Sequence, residues 1–253
     1  MVRPLPYCGS APSPGELLSR FNLDPVLIAC LVAICALQLL VLNRRGGFDV
    51  RRRQGLALTG WLTAAAAFLS PLCALSVALF SARVGQHMVL ILVAAPLIAM
   101  GLPPAPARNH VWRLWGSSAA FFVALWYWHM PVPYDATFGS TWVYWAMHLT
   151  LFGSSIFLWR ELLDHPAQQT AQVLAAGTMS FMQMGMLGAV LTLADRPMFE
   201  WHLITTYAWG LTPLQDEQLG GAIMWVPGIA LFLWIGIRSL GYMWQSVERV
   251  RPA

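Results

Sequence analysis

Residues 25–42 form a long apolar run that contains one strongly polar side chain, Gln38, and reads PVLIACLVAICALQLLVL. A helix of about 20 apolar residues crosses the hydrocarbon core of a bilayer, which is about 30 Å thick. Similar runs recur along the chain, whose residues are 58% hydrophobic and only 10% charged, against about 25% charged in an average soluble domain. The sequence therefore predicts an all-α, polytopic membrane helical bundle.

Seven transmembrane helices are predicted, separated by segments rich in Pro, Gly or charge, among them the Ser70-Pro71 turn and MPVPYD (130–135). The helices cover residues 25–42, 55–71, 84–101, 114–130, 140–160, 171–194 and 221–244. This pattern gives an N-terminal tail (1–24), a single transmembrane domain (25–245) with a long loop (195–220), and a C-terminal tail (246–253). No cleavable signal peptide is visible, so we expect the first helix to be an uncleaved anchor.

Arginine supplies all 15 basic residues, and its distribution predicts how the bundle is oriented. Cytoplasmic loops of membrane proteins retain positive charge close to the helix ends. Under a seven-helix count, most arginines fall on one side: Arg44, Arg45, Arg51, Arg52, Arg53, Arg108, Arg113, Arg160, Arg249 and Arg251. We therefore expect the N-terminus and the 195–220 loop outside, the C-terminal tail in the cytoplasm, and a multi-pass protein of the bacterial inner (plasma) membrane.

Several classes of function are excluded by the composition. Because the chain has no lysine, no retinal Schiff base can form, and a rhodopsin-like function is excluded. No basic stripe alternates with aromatic residues, which excludes nucleic acid as an expected partner. The four cysteines, Cys8, Cys30, Cys35 and Cys73, form no C-x-x-C pair, and Cys30 and Cys35 are expected to be small packing residues. No nucleophile elbow, phosphate-binding loop or pair of carboxylates suggests an enzyme.

The six histidines divide into two groups under the predicted topology. His110 and His165 fall in cytoplasmic loops, where a solvated loop residue is the simplest interpretation. The others fall toward the outer side: His87, His129, His148 and His202. An ionisable residue within a membrane segment is costly and is a candidate functional residue, and imidazole is a good ligand for copper, zinc, iron or nickel. The alternative is that each histidine bonds a neighbouring carbonyl and fixes helix packing.

Methionine and acidic residues give weaker signals. Met88 and Met130 each follow a histidine, and thioethers favour Cu(I). Three further methionines share one face of the sixth predicted helix, at Met179, Met182 and Met186, where packing is the alternative interpretation. Asp216 and Glu217 precede the seventh predicted helix; they would either complement its dipole or contact a metal or a partner.

Four segments of the chain form a specific set when taken in order. They are SARVGQHMVLILVAAPLIAMGLP (81–103), WHMPVPYDATFG (128–139), His148 with its aromatic neighbours, and LTPLQDEQLGGAIMWVPG (211–228). This set, which spans the second to the seventh helix, resembles the CtaG family of cytochrome c oxidase assembly factors. The resemblance implies a seven-helix factor needed to make an active haem-copper oxidase, thought to help deliver copper to it.

One position departs from the family pattern. Family members usually carry a second histidine four residues before the one that matches His87, and this chain has Arg83 there. Arginine stays protonated and cannot ligate a metal. Either the site uses fewer ligands, or that histidine is not essential, or this member has a different task. Arg83 would alternatively pair with Asp135, Asp216 or Glu217.

Three hypotheses remain. The first is a copper-handling assembly factor in which Cu(I) is bound by His87, His129 and His148. In this hypothesis Met88 or Met130 is an auxiliary ligand, and His202 is a ligand from the loop. The second is a membrane electron carrier in which His87 and His148 ligate haem. The third is a metal-free scaffold that binds oxidase subunits through the 195–220 loop. The expected partners are cytochrome c oxidase subunits, a copper donor protein and the lipid bilayer.

Overall fold

The computed structural model describes residues 5–47, 49–103, 111–165 and 169–250, and the only regular secondary structure in these ranges is helical. The α-helices of this part are α1 (Pro25–Arg45), α2 (Val50–Leu69), α3 (Pro71–Ala78), α4 (Phe80–Met88), α5 (Ala95–Met100), α6 (Val111–Trp128), α7 (Pro131–Gly139), α8 (Thr141–Leu163), α9 (Thr170–Thr192) and α10 (Pro213–Val250). A π-helical segment, Val89–Ala94, joins α4 to α5, so that Phe80–Met100 is one continuous helix. The all-α prediction is confirmed.

Three helices of the described ranges are long and apolar enough to cross a membrane: Pro25–Arg45, Phe80–Met100 and Thr170–Thr192. A fourth span results if α2 and α3, which meet at a bend of 50°, are taken together as one broken span. Each of the seven predicted helices coincides with a helix of the structure. The count of seven membrane crossings nevertheless stays a prediction.

Proline explains where the structure departs from the predicted breaks. The Ser70-Pro71 turn starts α3, because Ser70 accepts a hydrogen bond from the N–H of Leu72 at 3.3 Å and Pro71 occupies the first helical position. The MPVPYD segment, also predicted as a break, is the beginning of α7. Likewise, α10 begins at Pro213, so residues 213–220 are helical and do not belong to the loop.

Three of the segments predicted to be cytoplasmic contact one another. Arg53, from the start of α2, donates to the carbonyl oxygens of Met100 and Leu102 at 3.2 and 2.6 Å. Arg160, near the end of α8, donates to the carbonyl of Pro103 at 3.2 Å. The arginine-bearing segments that follow α1 and end α8 therefore meet the segment that follows α5, as the predicted topology requires.

The N-terminal tail and the loop between α9 and α10 meet at another part of the molecule. Trp209 donates to the carbonyl of Pro12 at 3.2 Å, and Trp201 donates to the carbonyl of Val77 at 3.0 Å. Two 3₁₀ turns, Glu200–Leu203 and Tyr207–Trp209, shape this loop. Both contacts belong to segments that the sequence places outside the membrane.

A disulfide between Cys8 and Cys73 ties the tail to α3, across 65 residues of sequence. The absence of a C-x-x-C motif had suggested no role for either residue, so this bridge was missed. The other two cysteines are free, Cys30 being exposed on α1 and Cys35 partly buried. The tail is therefore held against the bundle by a covalent bond as well as by hydrogen bonds.

Candidate metal centre

Three of the predicted site histidines come together inside the bundle. His87 lies near the end of α4, His129 directly follows α6, and His148 lies two turns into α8. The ring centroid of His87 is 5.2 Å from that of His148 and 5.9 Å from that of His129. The three side chains are 2%, 5% and 2% exposed. We refer to His87, His129 and His148 as the histidine cluster.

Hydrogen bonds to the backbone determine which nitrogen two of these rings present. Nδ1 of His129 lies 2.7 Å from the carbonyl oxygen of Leu125, and Nδ1 of His148 lies 3.0 Å from that of Tyr144. Because a carbonyl oxygen only accepts, each Nδ1 carries the proton and donates it. In the neutral imidazole Nε2 then has a free lone pair, which is the arrangement that metal-bound histidines show.

His87 lacks any such fixed partner. Both of its ring nitrogens are buried without a hydrogen-bond partner, and so is Nε2 of His148. An unpaired polar atom in the interior is costly, and such atoms call for an explanation. Three buried imidazole nitrogens of the histidine cluster, two in His87 and one in His148, therefore have no hydrogen-bond partner in the protein.

The separation of His87 from each of its two neighbours fits a shared ion. An imidazole nitrogen about 2 Å from a metal puts the ring centroid about 3 Å from it, so two ligating rings have centroids about 5 to 6 Å apart. The two measured separations, 5.2 and 5.9 Å, lie in this range. As the side chains stand, no three His, Cys, Asp or Glu residues in the described part of the chain already form a metal-binding group. The side chains would therefore have to move to aim their nitrogens at one point.

The other predicted ligands differ in burial. Met88 is buried in the core, whereas Met130 is 51% exposed at the start of α7. Three methionines of α9 are also exposed: Met179, Met182 and Met186. Of the two histidines predicted in cytoplasmic loops, His165 donates through Nδ1 to the carbonyl oxygen of Leu162 at 3.1 Å. His110 lies outside the described residues.

His202 belongs to a separate, fully bonded cluster. Its Nε2 lies 2.8 Å from the hydroxyl of Tyr134, and its Nδ1 lies 3.3 Å from the carbonyl of Ala78. The ring packs against Phe80 and Phe138. Burial lowers the pKa of His202 to about 3, so the ring is neutral at ordinary pH. These contacts give His202 a structural role in fixing the outer loop, and its ligation of a metal stays a prediction.

Arg83 lies one helical turn before His87 and is only 1% exposed. Its guanidinium carbon is 4.0 Å from the ring centroid of Phe138, and its Nη1 donates to the hydroxyl of Thr137 at 2.5 Å. Its Nε has no partner. Among the residues that the structure describes, no carboxylate forms an ion pair with Arg83, so the predicted pairing is not seen with any of the three acids.

The three acids instead bind backbone N–H groups. Asp216, on α10, is fully buried and accepts from the N–H groups of Phe80 at 2.6 Å and Ser81 at 3.1 Å, and also from the Ser81 hydroxyl. It therefore caps α4, the helix that carries His87, and not its own helix. Asp135 accepts from Trp201 at 3.3 Å, and Glu217 from Met198 at 2.8 Å. Sequence reasoning missed these roles because each partner is far away in the chain.

Tyr144 connects the disulfide to the histidine cluster. Its hydroxyl lies 3.4 Å from Sγ of Cys8, and its ring centroid lies 4.3 Å from that of His148. Tyr7, from the tail, also stacks on Tyr144, with centroids 4.9 Å apart. The tail and its disulfide therefore contact Tyr144, which in turn packs against His148. No sequence motif marked this contact.

Comparison with known proteins identifies the family. The profile of the cytochrome c oxidase caa3 assembly factor family, Caa3_CtaG, matches residues 34–245, which include all of the histidine cluster. No curated protein and no solved structure matches the chain. A match over this much of the chain confirms the resemblance, and we conclude that the protein belongs to the Caa3_CtaG family of cytochrome c oxidase assembly factors.

Proposed function

We propose that this assembly factor binds copper at the histidine cluster and passes it to a haem-copper oxidase on the outer side of the membrane. The observation that carries the proposal is the convergence of three buried imidazoles from three parts of the chain, with both nitrogens of His87 and Nε2 of His148 unpartnered. Copper is the cargo here, and it need not be retained. A site with few ligands suits this task, because a complete shell would hold the ion too tightly.

Each histidine has a distinct part in the proposal. His129 and His148 present Nε2, because their Nδ1 protons are held by Leu125 and Tyr144. His87, between them, is free to offer either nitrogen. Three neutral imidazoles suit Cu(I) as well as other first-row metals, so the copper assignment rests on the family. Met88 and a copper donor protein remain predicted additions to this scheme.

The proposed orientation has seven membrane crossings, an outer N-terminus and a cytoplasmic C-terminus in the inner membrane of a bacterium. Two observations support it. The arginine-bearing segments meet at one end of the structure, through Arg53 and Arg160. The Cys8–Cys73 disulfide joins two segments predicted outside, and disulfides persist in oxidising compartments such as the bacterial periplasm.

This orientation is tested by labelling intact cells with a membrane-impermeant maleimide. In a background with Cys30 and Cys35 replaced by Ser, we expect Ile204→Cys to be labelled, because residue 204 is 64% exposed in the outer loop. Arg51→Cys, at the start of α2, is the matched control and should react only after the membrane is permeabilised. Labelling of both in intact cells, or of Arg51→Cys alone, would contradict the orientation.

The packing of the histidine cluster favours the binding of a metal ion over the binding of haem. Two axial histidines stand on opposite faces of a porphyrin, which must fit between them. The rings of His87 and His148 are already only 5.2 Å apart at their centroids, and both are buried. A purified protein without a Soret band, from cells with ample haem, would agree with this interpretation.

The test of function is complementation in a strain that lacks the gene. We expect the wild-type protein to restore caa3-type oxidase activity, and the double variant His87→Ala, His148→Ala to restore less than about a tenth of it in copper-poor medium. Added copper should raise the activity of the double variant, because mass action compensates for a weakened site. His165→Ala is the matched control and should behave as wild type.

The same experiment separates copper delivery from a metal-free scaffold. The loop between α9 and α10 exposes apolar side chains suited to a subunit contact: Leu203, Ile204 and Tyr207. If the double variant assembles the oxidase normally while changes in this loop do not, the scaffold explains the function and the copper site is wrong. If added copper does not help the double variant, the cluster acts in some way other than delivery.

A further inference from the structure

Arg83 is a buried cation, and no carboxylate in the described part of the chain is bonded to its guanidinium. Its side chain is 1% exposed, and its Nε has no partner. A charge in the interior is normally paired, because an uncompensated buried charge is strongly destabilising. Asp135 interacts electrostatically with Arg83, but no described carboxylate is bonded to the guanidinium. Asp135, Asp216 and Glu217 accept instead from backbone N–H groups of other segments.

Aromatic rings provide only part of the compensation. The guanidinium lies 4.0 Å from the centroid of Phe138, 5.3 Å from that of Tyr134 and 5.8 Å from that of Tyr144. Such cation–π contacts stabilise an arginine, but they leave the net charge in place. Thr137 accepts one N–H, and a neutral hydroxyl does not change the net charge either.

The position of this charge matters for the cargo. Arg83 precedes His87 by one helical turn, so their side chains lie on the same face of α4. A metal cation at His87 would therefore sit close to a second positive charge inside the bundle, where water screens little. The like charges disfavour a bare cation. They favour a cation that arrives with, or acquires, an anionic ligand.

We propose that Arg83 binds a monoanionic ligand that coordinates the copper ion at the histidine cluster, so that the ion is held as a neutral or near-neutral complex. The inference rests on the proposed copper site. The anion bridges the ion and the guanidinium, and the unpartnered Nε is a donor available to it. The chemistry is that of a small anionic donor atom, such as a halide or the thiolate of a cysteine side chain.

The test uses purified protein in chloride-free and thiol-free buffer, with Cu(II) as the ion and azide as the anion. The azide complex of Cu(II) has a charge-transfer absorption that reports anion binding directly. Two affinities are measured: that of the protein for Cu(II) without azide, and that of the copper-loaded protein for azide. The variants are Arg83→Met, which removes the charge, and Arg83→Gln, which also keeps a donor for Thr137.

The two affinities should change in opposite directions. Without the positive charge of Arg83, we expect either variant to bind Cu(II) at least about tenfold more tightly. We expect its copper-loaded form to bind azide at least about tenfold more weakly. Arg160→Met, which alters an arginine bonded to Pro103 at the other end of α8, should change neither affinity more than about twofold. A purely structural role for Arg83, or misfolding, would weaken both affinities and would overturn the inference.

Other outcomes are equally decisive. Unchanged azide affinity in both Arg83 variants overturns the inference while the copper site stands. Failure of the wild-type protein to bind copper overturns the proposed site and this inference together. If the inference holds, X-ray absorption of the Cu(I)-loaded protein distinguishes the two sources of the anion. A Cu–S distance that appears with N-acetylcysteine in chloride-free buffer identifies a thiolate, and a Cu–Cl distance that appears with chloride in thiol-free buffer identifies a halide.

Discussion

Replacing His87 and His148 together by alanine is expected to weaken Cu(I) binding by at least about 100-fold. Loss of a residue that merely orients a metal ligand costs about 10- to 100-fold in affinity, so loss of two ligands should cost no less. His87 is the central member, being 5.2 Å from His148 and 5.9 Å from His129 between ring centroids. Its single substitution should therefore weaken binding more than that of either neighbour. Competition with a coloured Cu(I) chelator measures these affinities.

The matched control is His202→Ala. His202 is as buried as His87, but both of its nitrogens have protein partners. We expect its substitution to lower stability while changing Cu(I) affinity less than about threefold, provided that the protein remains monodisperse in detergent. If His202→Ala weakens copper binding as much as His148→Ala does, the ligand set must include the outer loop, as the sequence alone allowed.

Much of the fold follows from local sequence. The apolar run of α1 is bounded by Asp24, which accepts from the N–H of Val26 at 2.9 Å, and by Gly46, whose φ of 62° ends the helix. Both signals lie within a few residues of the feature they determine. Arginine placement likewise predicts which loops meet, because loops rich in positive charge stay on the same, cytoplasmic side of a membrane.

Part of the candidate site was also predictable. The histidines were identified because an imidazole in an apolar helix is costly, and His87, His129 and His148 do lie together. His202 shares their predicted side of the membrane but not their cluster. The difference depends on Tyr134 and Ala78, its bonding partners, which only the tertiary structure brings to it.

The remaining features depend on residues that are distant in the chain. Asp216 caps α4 across about 135 residues, and the nearest sequence signal suggested a cap on α10 instead. Cys8 and Cys73 show no motif, because two cysteines 65 residues apart are paired by the fold and not by spacing. Arg83 could be recognised as unusual from the family pattern, but its lack of a carboxylate partner could not.

Removal of the disulfide is expected to have the largest effect on stability. A cross-link stabilises mainly by restricting the unfolded chain, and a loop of this length corresponds to about 4 kcal/mol. Cys8→Ser or Cys73→Ser should therefore lower the free energy of unfolding by about that amount. This corresponds to a fall of roughly 10 °C in Tm for a chain of this size. Thermal unfolding in detergent measures it, and reduction of the wild-type protein should reproduce the shift.

The two free cysteines provide the matched control, and the contacts of Tyr144 give a second expected effect at His148. The double variant Cys30→Ser, Cys35→Ser should unfold at the wild-type temperature and show the same fall in Tm on reduction as the wild-type protein, because neither cysteine is bridged and the Cys8–Cys73 disulfide is intact in it. Since Tyr144 lies between Cys8 and His148, loss of the bridge should also free the tail from Tyr144 and make His148 more reactive toward diethyl pyrocarbonate. If reduction leaves both Tm and this reactivity unchanged, Cys8 and Cys73 are not bridged in the membrane, and the support that the bridge gives to an outer N-terminus is lost.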